Sequence, residues 1–257
     1  MVLKLSSWNI NGIRAASKKD GFKEWFFNND SDIINFQEVR ANTEDIPKKI
    51  TALEGYYKYY TVADRKGYSG VATFSKIKAN AVYHGMGIDH LDSEGRILRL
   101  DFDDFILFNV YFPNGGSGPD KLAYKFEFFD EFFKILYDLR DQGFNIIVTG
   151  DVNIAHTELD IARPKQNEDS VGFLPEERAR ITKFLENGFV DTFRIFNSEG
   201  ENYTWWSYRT RARARNVGWR LDYYFVNEEL KDRVISSEIE SDVLGSDHCP
   251  IYMEIDL

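Results

Sequence analysis

Along this chain, short apolar runs are punctuated by polar clusters, and most of the runs have the length and spacing of strands. Residues 2–8, 32–36, 70–74, 97–102, 105–111, 145–149, 221–226 and 251–255 read as strands, through alternation or through compact β-branched and aromatic runs bounded by turn residues. Asp103 and Asp104 form an acidic turn between the fourth and fifth of these. Four segments carry helical spacing instead. A short amphipathic helix is predicted around residues 22–27, and another over 44–53 with Pro47 near its first turn. Over residues 121–140, Leu122, Phe126, Phe129, Phe133 and Leu136 recur at spacings of three and four, a core-facing stripe that Gly143 ends. The last helix starts at Pro175, buries Ile181, Phe184 and Leu185, and stops at Gly188.

Strands outnumber helices, and hairpin-like neighbours are mixed with helical crossovers. The expectation is an α/β fold, a four-layer sandwich of two packed mixed β-sheets flanked by helices, rather than one doubly wound sheet. No repeat or Pro/Ser-rich linker divides the chain, so residues 1–257 are expected to form one domain. The polar clusters fall where the strand-like runs end: Trp8-Asn9-Ile10-Asn11-Gly12, Gln37-Glu38, Tyr111-Phe112-Pro113-Asn114, Gly150-Asp151-Val152-Asn153, Leu221-Asp222-Tyr223 and Ser246-Asp247-His248. Strand ends are where open sheets meet ligands, so these clusters predict one assembled site, rich in carboxylates, with one histidine and no cysteine.

Composition narrows the picture. At 43% hydrophobic and 16% aromatic, the chain has material for a large core and is not a disordered protein. Its one cysteine, Cys249, excludes an internal disulfide framework and a cysteine metal motif and fits a reducing compartment. Met1 to Leu5 enter a strand-like run with no basic leader, and no apolar run reaches membrane-spanning length. A soluble cytoplasmic protein with no membrane association is expected. The net charge of -10 argues against a nucleic-acid partner as a sum, but Arg209, Arg211, Arg213, Arg215 and Arg220 follow Tyr203, Trp205, Trp206 and Tyr208 with no intervening acid. Arginines with aromatics grip phosphates and stack on bases or sugars, although the same segment also reads as a solvated basic loop.

Other chemistries lack their signatures. The glycine-rich 114–118 segment has no Gly-Lys-Ser/Thr, no Gly-x-Ser-x-Gly elbow occurs, and Cys249 next to His248 on a strand points to the opposite face. What remains is a phosphodiesterase set. Glu38 offers the hard anionic oxygen that suits Mg²⁺, an ion that keeps several waters and takes one or two protein carboxylates. Asp151 and Asn153 lie two apart, so in extended backbone one can accept a proton from water while the other donates to a phosphoryl oxygen. Asp222 can orient the His248 imidazole and hold its charge. Taken singly, each residue has a structural reading: a strand-end Asp caps a turn, Glu38 makes a surface ion pair, and His84, His90 and His156 are structural or solvated. Co-occurrence is what favours chemistry.

These motifs, together with Ser7 to Ala15, Gly150 to His156, Asn216 to Tyr223 and Gly245 to Pro250, resemble the exonuclease III type of apurinic/apyrimidinic (AP) endonuclease, in order and over essentially the whole chain. The 216–223 stretch is closer to the branch of the human and Gram-positive enzymes than to the enterobacterial prototype. The resemblance implies the deoxyribonuclease I-like sandwich. It also implies Mg²⁺-dependent incision (Mn²⁺ as an alternative) of double-stranded DNA 5′ to abasic or otherwise damaged nucleotides, leaving a 3′-hydroxyl, with 3′ to 5′ exonuclease or 3′-end-cleaning activity, by a monomer. By resemblance Asp151, Asn153, Tyr111, Asp222 and His248 are catalytic. Glu38, Asn9, Asn11, Asp151, Asn153, Asp247 and His248 surround the metal. Asn114, Asn167, Trp205, Arg209, Trp219 and Leu221 meet DNA or the abasic sugar.

The chain also departs from the pattern. Asn11 stands where some relatives carry Asp, removing one anionic ligand. Ser117 and Arg209 occupy the positions of an inserted arginine and methionine, and Ser170 replaces an Asn that contacts phosphate while Asn167 is retained. Two alternatives stay open on sequence alone: a phosphatase or phospholipase of the same fold, and a catalytically silent nucleic-acid-binding module.

Overall fold

The computed structural model describes Met1–Leu257 throughout. Its strands are β1 (Val2–Asn9), β2 (Ile33–Gln37), β3 (Tyr57–Thr61), β4 (Val71–Ser75), β5 (Ala81–His84), β6 (Ile97–Asp101), β7 (Ile106–Tyr111), β8 (Ile146–Asp151), β9 (Phe189–Asp191), β10 (Asp222–Asn227), β11 (Val234–Ile239) and β12 (Ile251–Asp256). They form two six-stranded sheets, ordered β11-β12-β1-β2-β4-β3 and β5-β6-β7-β8-β10-β9. Each sheet holds one parallel pair near its middle, β1 with β2 and β7 with β8, and antiparallel neighbours elsewhere. No helix is long and apolar enough to cross a membrane.

Side-chain parity builds the layers. Leu3 and Leu5 of β1, Ile33 of β2, Leu107 of β7 and Ile147 of β8 share one buried cluster between the sheets. Their neighbours Trp8, Ile34 and Phe36 point the other way, onto the helix Asp20–Asn28. Phe108, Val110, Ile146 and Val148 point onto the helices Pro119–Asp141 and Pro175–Glu186. Helix, sheet, sheet and helix therefore stack as the four layers that the pattern predicts. Toward the C-terminal ends of the parallel pairs the inter-sheet face turns polar. Gln37 donates across the gap to Asn109 at 2.7 Å and within its own sheet to Ser7 at 2.9 Å, and Thr73 donates to Asn35 at 2.8 Å. These bonds offset most of the cost of burying polar groups here, although Gln37 Oε1 and the Tyr224 hydroxyl stay without a protein partner.

Three predicted helices differ from expectation. Residues 44–53 hold only a 3₁₀ turn, Thr43–Asp45, and one helical turn, Lys48–Thr51, because Pro47 cannot donate into a continuous ladder. In the long helix the buried face is centred on Lys125, Phe128, Phe129, Phe132, Phe133, Leu136 and Leu139, while Leu122 and Phe126 are only partly covered. Phe126 instead lies under the Arg180 guanidinium, 3.9 Å from its ring centroid. Leu185 is likewise half-buried.

Gly150, at the step before Asp151, has φ +138, and a Cβ there would run into the Val110 carbonyl on the parallel partner strand. Gly150→Ala is expected to destabilise the fold by at least about 2 kcal/mol, combining overpacking with a backbone conformation that L side chains avoid. Denaturant unfolding measures this; an unchanged midpoint would contradict the close approach of β7 and β8.

Candidate active site

The parity that places leucines between the sheets continues to Asn9 on β1, Tyr111 on β7, Asp151 on β8 and Asp222 on β10. Where the two inner faces open at this rim, a cavity of about 530 Å³ is lined by Asn11, Glu38, Tyr111, Asn114, Asp151, Asn153, Trp205, Trp219, Leu221, Asp247 and His248, among others. Asn9 lies directly beneath it, donating from Nδ2 to Asp151 at 2.8 Å, and Asp222 lies beneath His248. Asn167 stands at the edge, accepting from Ser170, and Arg209 is exposed on the neighbouring loop. The candidate residues other than Asn167 and Arg209 thus line the opening or bond directly to residues that do, whereas no contact ties the Arg209 side chain to it. Asn11, Glu38 and Asn153 have φ of 47, 56 and 55, so their left-handed backbone turns each side chain sharply at a strand end.

Asp151 is buried, 2% exposed, as is Asp222. Its Oδ1 accepts from the Asn153 backbone N–H at 2.9 Å and its Oδ2 from the Asn153 side chain at 3.2 Å. Burial raises its pKa to about 7, with His248 opposing the rise and the Asp222 and Glu38 charges adding to it. For His248, burial disfavours the charged ring, but the carboxylates of Asp222 and Asp151 outweigh it and lift the pKa to about 10. The ring is 2.7 Å from Asp222 through Nδ1, and its Nε2 lies 3.8 Å from Asp151. Thr204 also donates to Asp222 Oδ2, at 2.6 Å. Burial, reinforced by Glu38, holds the Tyr111 phenol protonated well above its ordinary range, against the Arg96 guanidinium 4.7 Å from its ring centroid.

Oxygen donors suited to a hard cation face the opening. Glu38 reaches it from its left-handed corner with Arg40 as its partner, and the Asp247 carboxylate accepts from Asn11 at 2.8 Å and from the Trp205 indole at 3.2 Å. Although burial would raise the Asp247 pKa, His248 and these two hydrogen bonds hold it below the usual range. The ligand atoms of Asp151, Asp222 and His248 come within 4.8 Å of one another, but Asp222 and His248 are engaged with each other. The carboxylate and amide oxygens around Glu38 therefore fit Mg²⁺ better than that trio does.

Beyond the carboxylates, the indoles of Trp205 and Trp219 meet edge to face, 6.2 Å between centroids, with Leu221 beside them. The arginine segment divides in two. Arg209, Arg211 and Arg215 are exposed, whereas Arg213 donates to the carbonyls of Ser241 and Val243 and Arg220 is buried between Asp160 and Asp191. Sequence reasoning did not single out Arg40, Val171 or Gly172, which line the cavity, or Thr204 and Arg96, which support it. Loop residues that approach a site only after folding leave no periodic signal.

Comparison with known proteins identifies the family. Residues 6–248 match the Endonuclease/Exonuclease/phosphatase family. An exodeoxyribonuclease of Bacillus subtilis (strain 168) is 40% identical over 256 residues, covering 99% of this chain and 100% of its own. A DNA-(apurinic or apyrimidinic site) endonuclease of Dictyostelium discoideum is 41% identical over 99% of this chain and 71% of its own. The crystal structure of an AP endonuclease from Leishmania major superposes with a TM-score of 0.88 at 29% identity, over 100% of this chain and 88% of that one.

The His248 environment yields a direct test. A His pKa raised by folding stabilises the protein fully below its unfolded value, and that contribution is lost as pH rises through about 10. NMR titration of the ring is expected to show it charged across neutrality, and Asp222→Asn to lower its pKa by at least about one unit. A wild-type ring that titrates near the ordinary 6.5 would contradict the pairing.

Proposed function

The chain belongs to the endonuclease/exonuclease/phosphatase family, alongside exodeoxyribonucleases and AP endonucleases, and from that premise we propose that it is a Mg²⁺-dependent DNA repair endonuclease that hydrolyses the phosphodiester 5′ to abasic sites. The observation that carries this reading is a single cavity with a phosphodiester-cleaving set on one side and an indole-walled niche on the other. A generic phosphatase needs the first alone. The niche suits a sugar that has lost its base, which leaves the helix at little stacking cost.

In the proposed reaction a water attacks phosphorus, the bond to the preceding O3′ breaks, and the products are a 3′-hydroxyl and a 5′-deoxyribose phosphate. Asp151, a base matched to neutral pH by its burial, takes the water's proton. Asn153, whose amide nitrogen donates to the Phe112 carbonyl and to Asp151 while its oxygen accepts from Asn114, reaches a phosphoryl oxygen by giving up its longer bond to Asp151 when the phosphate enters. His248, kept cationic by Asp222, balances the phosphate's charge, and the protonated Tyr111 hydroxyl donates toward the leaving oxygen. Glu38 with Asn9, Asn11, Asp151, Asn153 and Asp247 would hold Mg²⁺ or Mn²⁺, which supplies charge neutralisation at the phosphate when bound. Exposed Arg209, Arg211 and Arg215, with Asn114 and Asn167, provide the flanking contacts to duplex DNA. Trimming of 3′ ends belongs to the same proposal, since a terminal nucleotide reaches the carboxylates without extrusion from a duplex. Residues 1–257 act in it as one catalytic unit and as a monomer.

End-labelled duplexes carrying one abasic analogue, one deoxyuridine or no lesion, incubated with Mg²⁺ or EDTA and resolved on gels, test this. Cutting immediately 5′ to the abasic position, only with Mg²⁺, is expected, and the deoxyuridine lane defines the breadth of lesions. Asp151→Asn is expected to slow incision by on the order of 10²-fold or more while DNA binding persists. Hydrolysis of a phosphoinositide with every DNA substrate left intact would overturn the reading.

A further inference from the structure

One charged residue interrupts the aromatic face of the helix Pro119–Asp141. Lys125 is fully buried there, and so is its partner Glu177 on the helix Pro175–Glu186. Taking two charges out of water does not by itself stabilise a fold, because desolvation can exceed their attraction. Their other contacts are therefore the informative part. Lys125 Nζ donates to Glu177 at 2.6 Å, to the Asn153 carbonyl at 2.8 Å and to the Asn114 carbonyl at 3.2 Å. Glu177 accepts from the Gly172 N–H at 2.5 Å and the Leu174 N–H at 3.0 Å. All three ammonium donors and both carboxylate oxygens are thereby used, and every backbone contact goes to a segment that shapes the cavity or adjoins it.

Those segments carry different duties. Asn114 and Asn153 hold the phosphate side, joined to each other by a 2.9 Å side-chain hydrogen bond. Gly172 belongs to the niche side: it packs so closely that a Cβ would stand 3.0 Å from the Trp219 ring and 3.3 Å from the Asn153 carbonyl. Neither Lys125 nor Glu177 lines the cavity itself.

We propose that the buried Lys125–Glu177 pair is a positioning device that sets the sugar niche in register with the hydrolytic loop. Lys125 fixes the Asn153 and Asn114 carbonyls, Glu177 fixes the Gly172 corner against Trp219, and the ion pair ties the two halves together. The inference rests on the repair-endonuclease reading for its substrate but not for its geometry. Neither residue touches the substrate, so their effect is exerted through Asn153 and Gly172.

Glu177→Gln alone and Lys125→Met combined with Glu177→Gln separate positioning from mere stability. Both are assayed on the abasic duplex well below their unfolding midpoints. The double variant leaves no buried charge unpaired and should recover the stability that the single variant loses. Its kcat is nevertheless expected to fall by on the order of 10²-fold with KM nearly unchanged, and its preference for abasic over intact duplex to narrow. A stable double variant with wild-type kcat and preference overturns the proposal. Hydrogen exchange supplies a readout that needs no substrate: in Glu177→Gln the amides of Gly172 and Leu174 and the segment through Asn153 are expected to lose protection together. Loss confined to residues 172–174 refutes the coupling even if the wild type proves to cut some other phosphodiester. Absence of wild-type cutting on the abasic duplex would overturn only the functional reading.

Discussion

Removing the Asp151 carboxylate from water is the constraint to which the rest of this site answers. A buried carboxylate with no partners would stay protonated and inert, and one surrounded by cations would be too weak a base. The fold takes a middle course, with the Asn9 amide, the Asn153 backbone and side chain, and the more distant His248 ring holding the group near neutrality. Those partners come from different strands and from both sheets. They converge because the parallel pairs β1–β2 and β7–β8 end at the same rim, and because inward parity runs unbroken from leucines to Asn9 and Asp151.

The supporting shell follows from the same constraint. Polar atoms near a functional carboxylate must be fixed, since a dipole free to reorient contributes little to charge stabilisation. Gln37, Asn109, Asn35 and Thr73 form a hydrogen-bonded floor between the sheets, and Lys125 and Glu177 hold the loops above it. On the surface, three exposed arginines within residues 209–215 locally oppose the overall charge of -10. Attraction for a polyanion depends on local potential more than on the sum.

The central strands were legible in the sequence, and the edge strands were not. β3, β5, β9 and β11, absent from the sequence reading, are the four sheet edges. They are short or half-exposed, so their side chains carry neither clean alternation nor a continuous apolar run. Most residues that line the cavity were legible because polar groups directly after apolar strands conflict with simple burial; the roles proposed for them come from the motif resemblance. Buried ion pairs stayed hidden: Lys125 looks like the solvated side of a helix, and Arg220 like one more member of a basic loop, until Glu177, Asp160 and Asp191 come into contact with them. Pairing across large sequence separations has no local pattern.

The central claim is that this rim directs water to phosphorus and expels O3′. Cleavage of an abasic duplex in water enriched in heavy oxygen, followed by mass spectrometry of both fragments, tests it most directly. One heavy oxygen in the 5′-phosphate of the deoxyribose fragment, with an unlabelled 3′-hydroxyl on the other, is the result this account predicts. A labelled 3′-phosphate, or an unlabelled unsaturated sugar left by elimination, would contradict it.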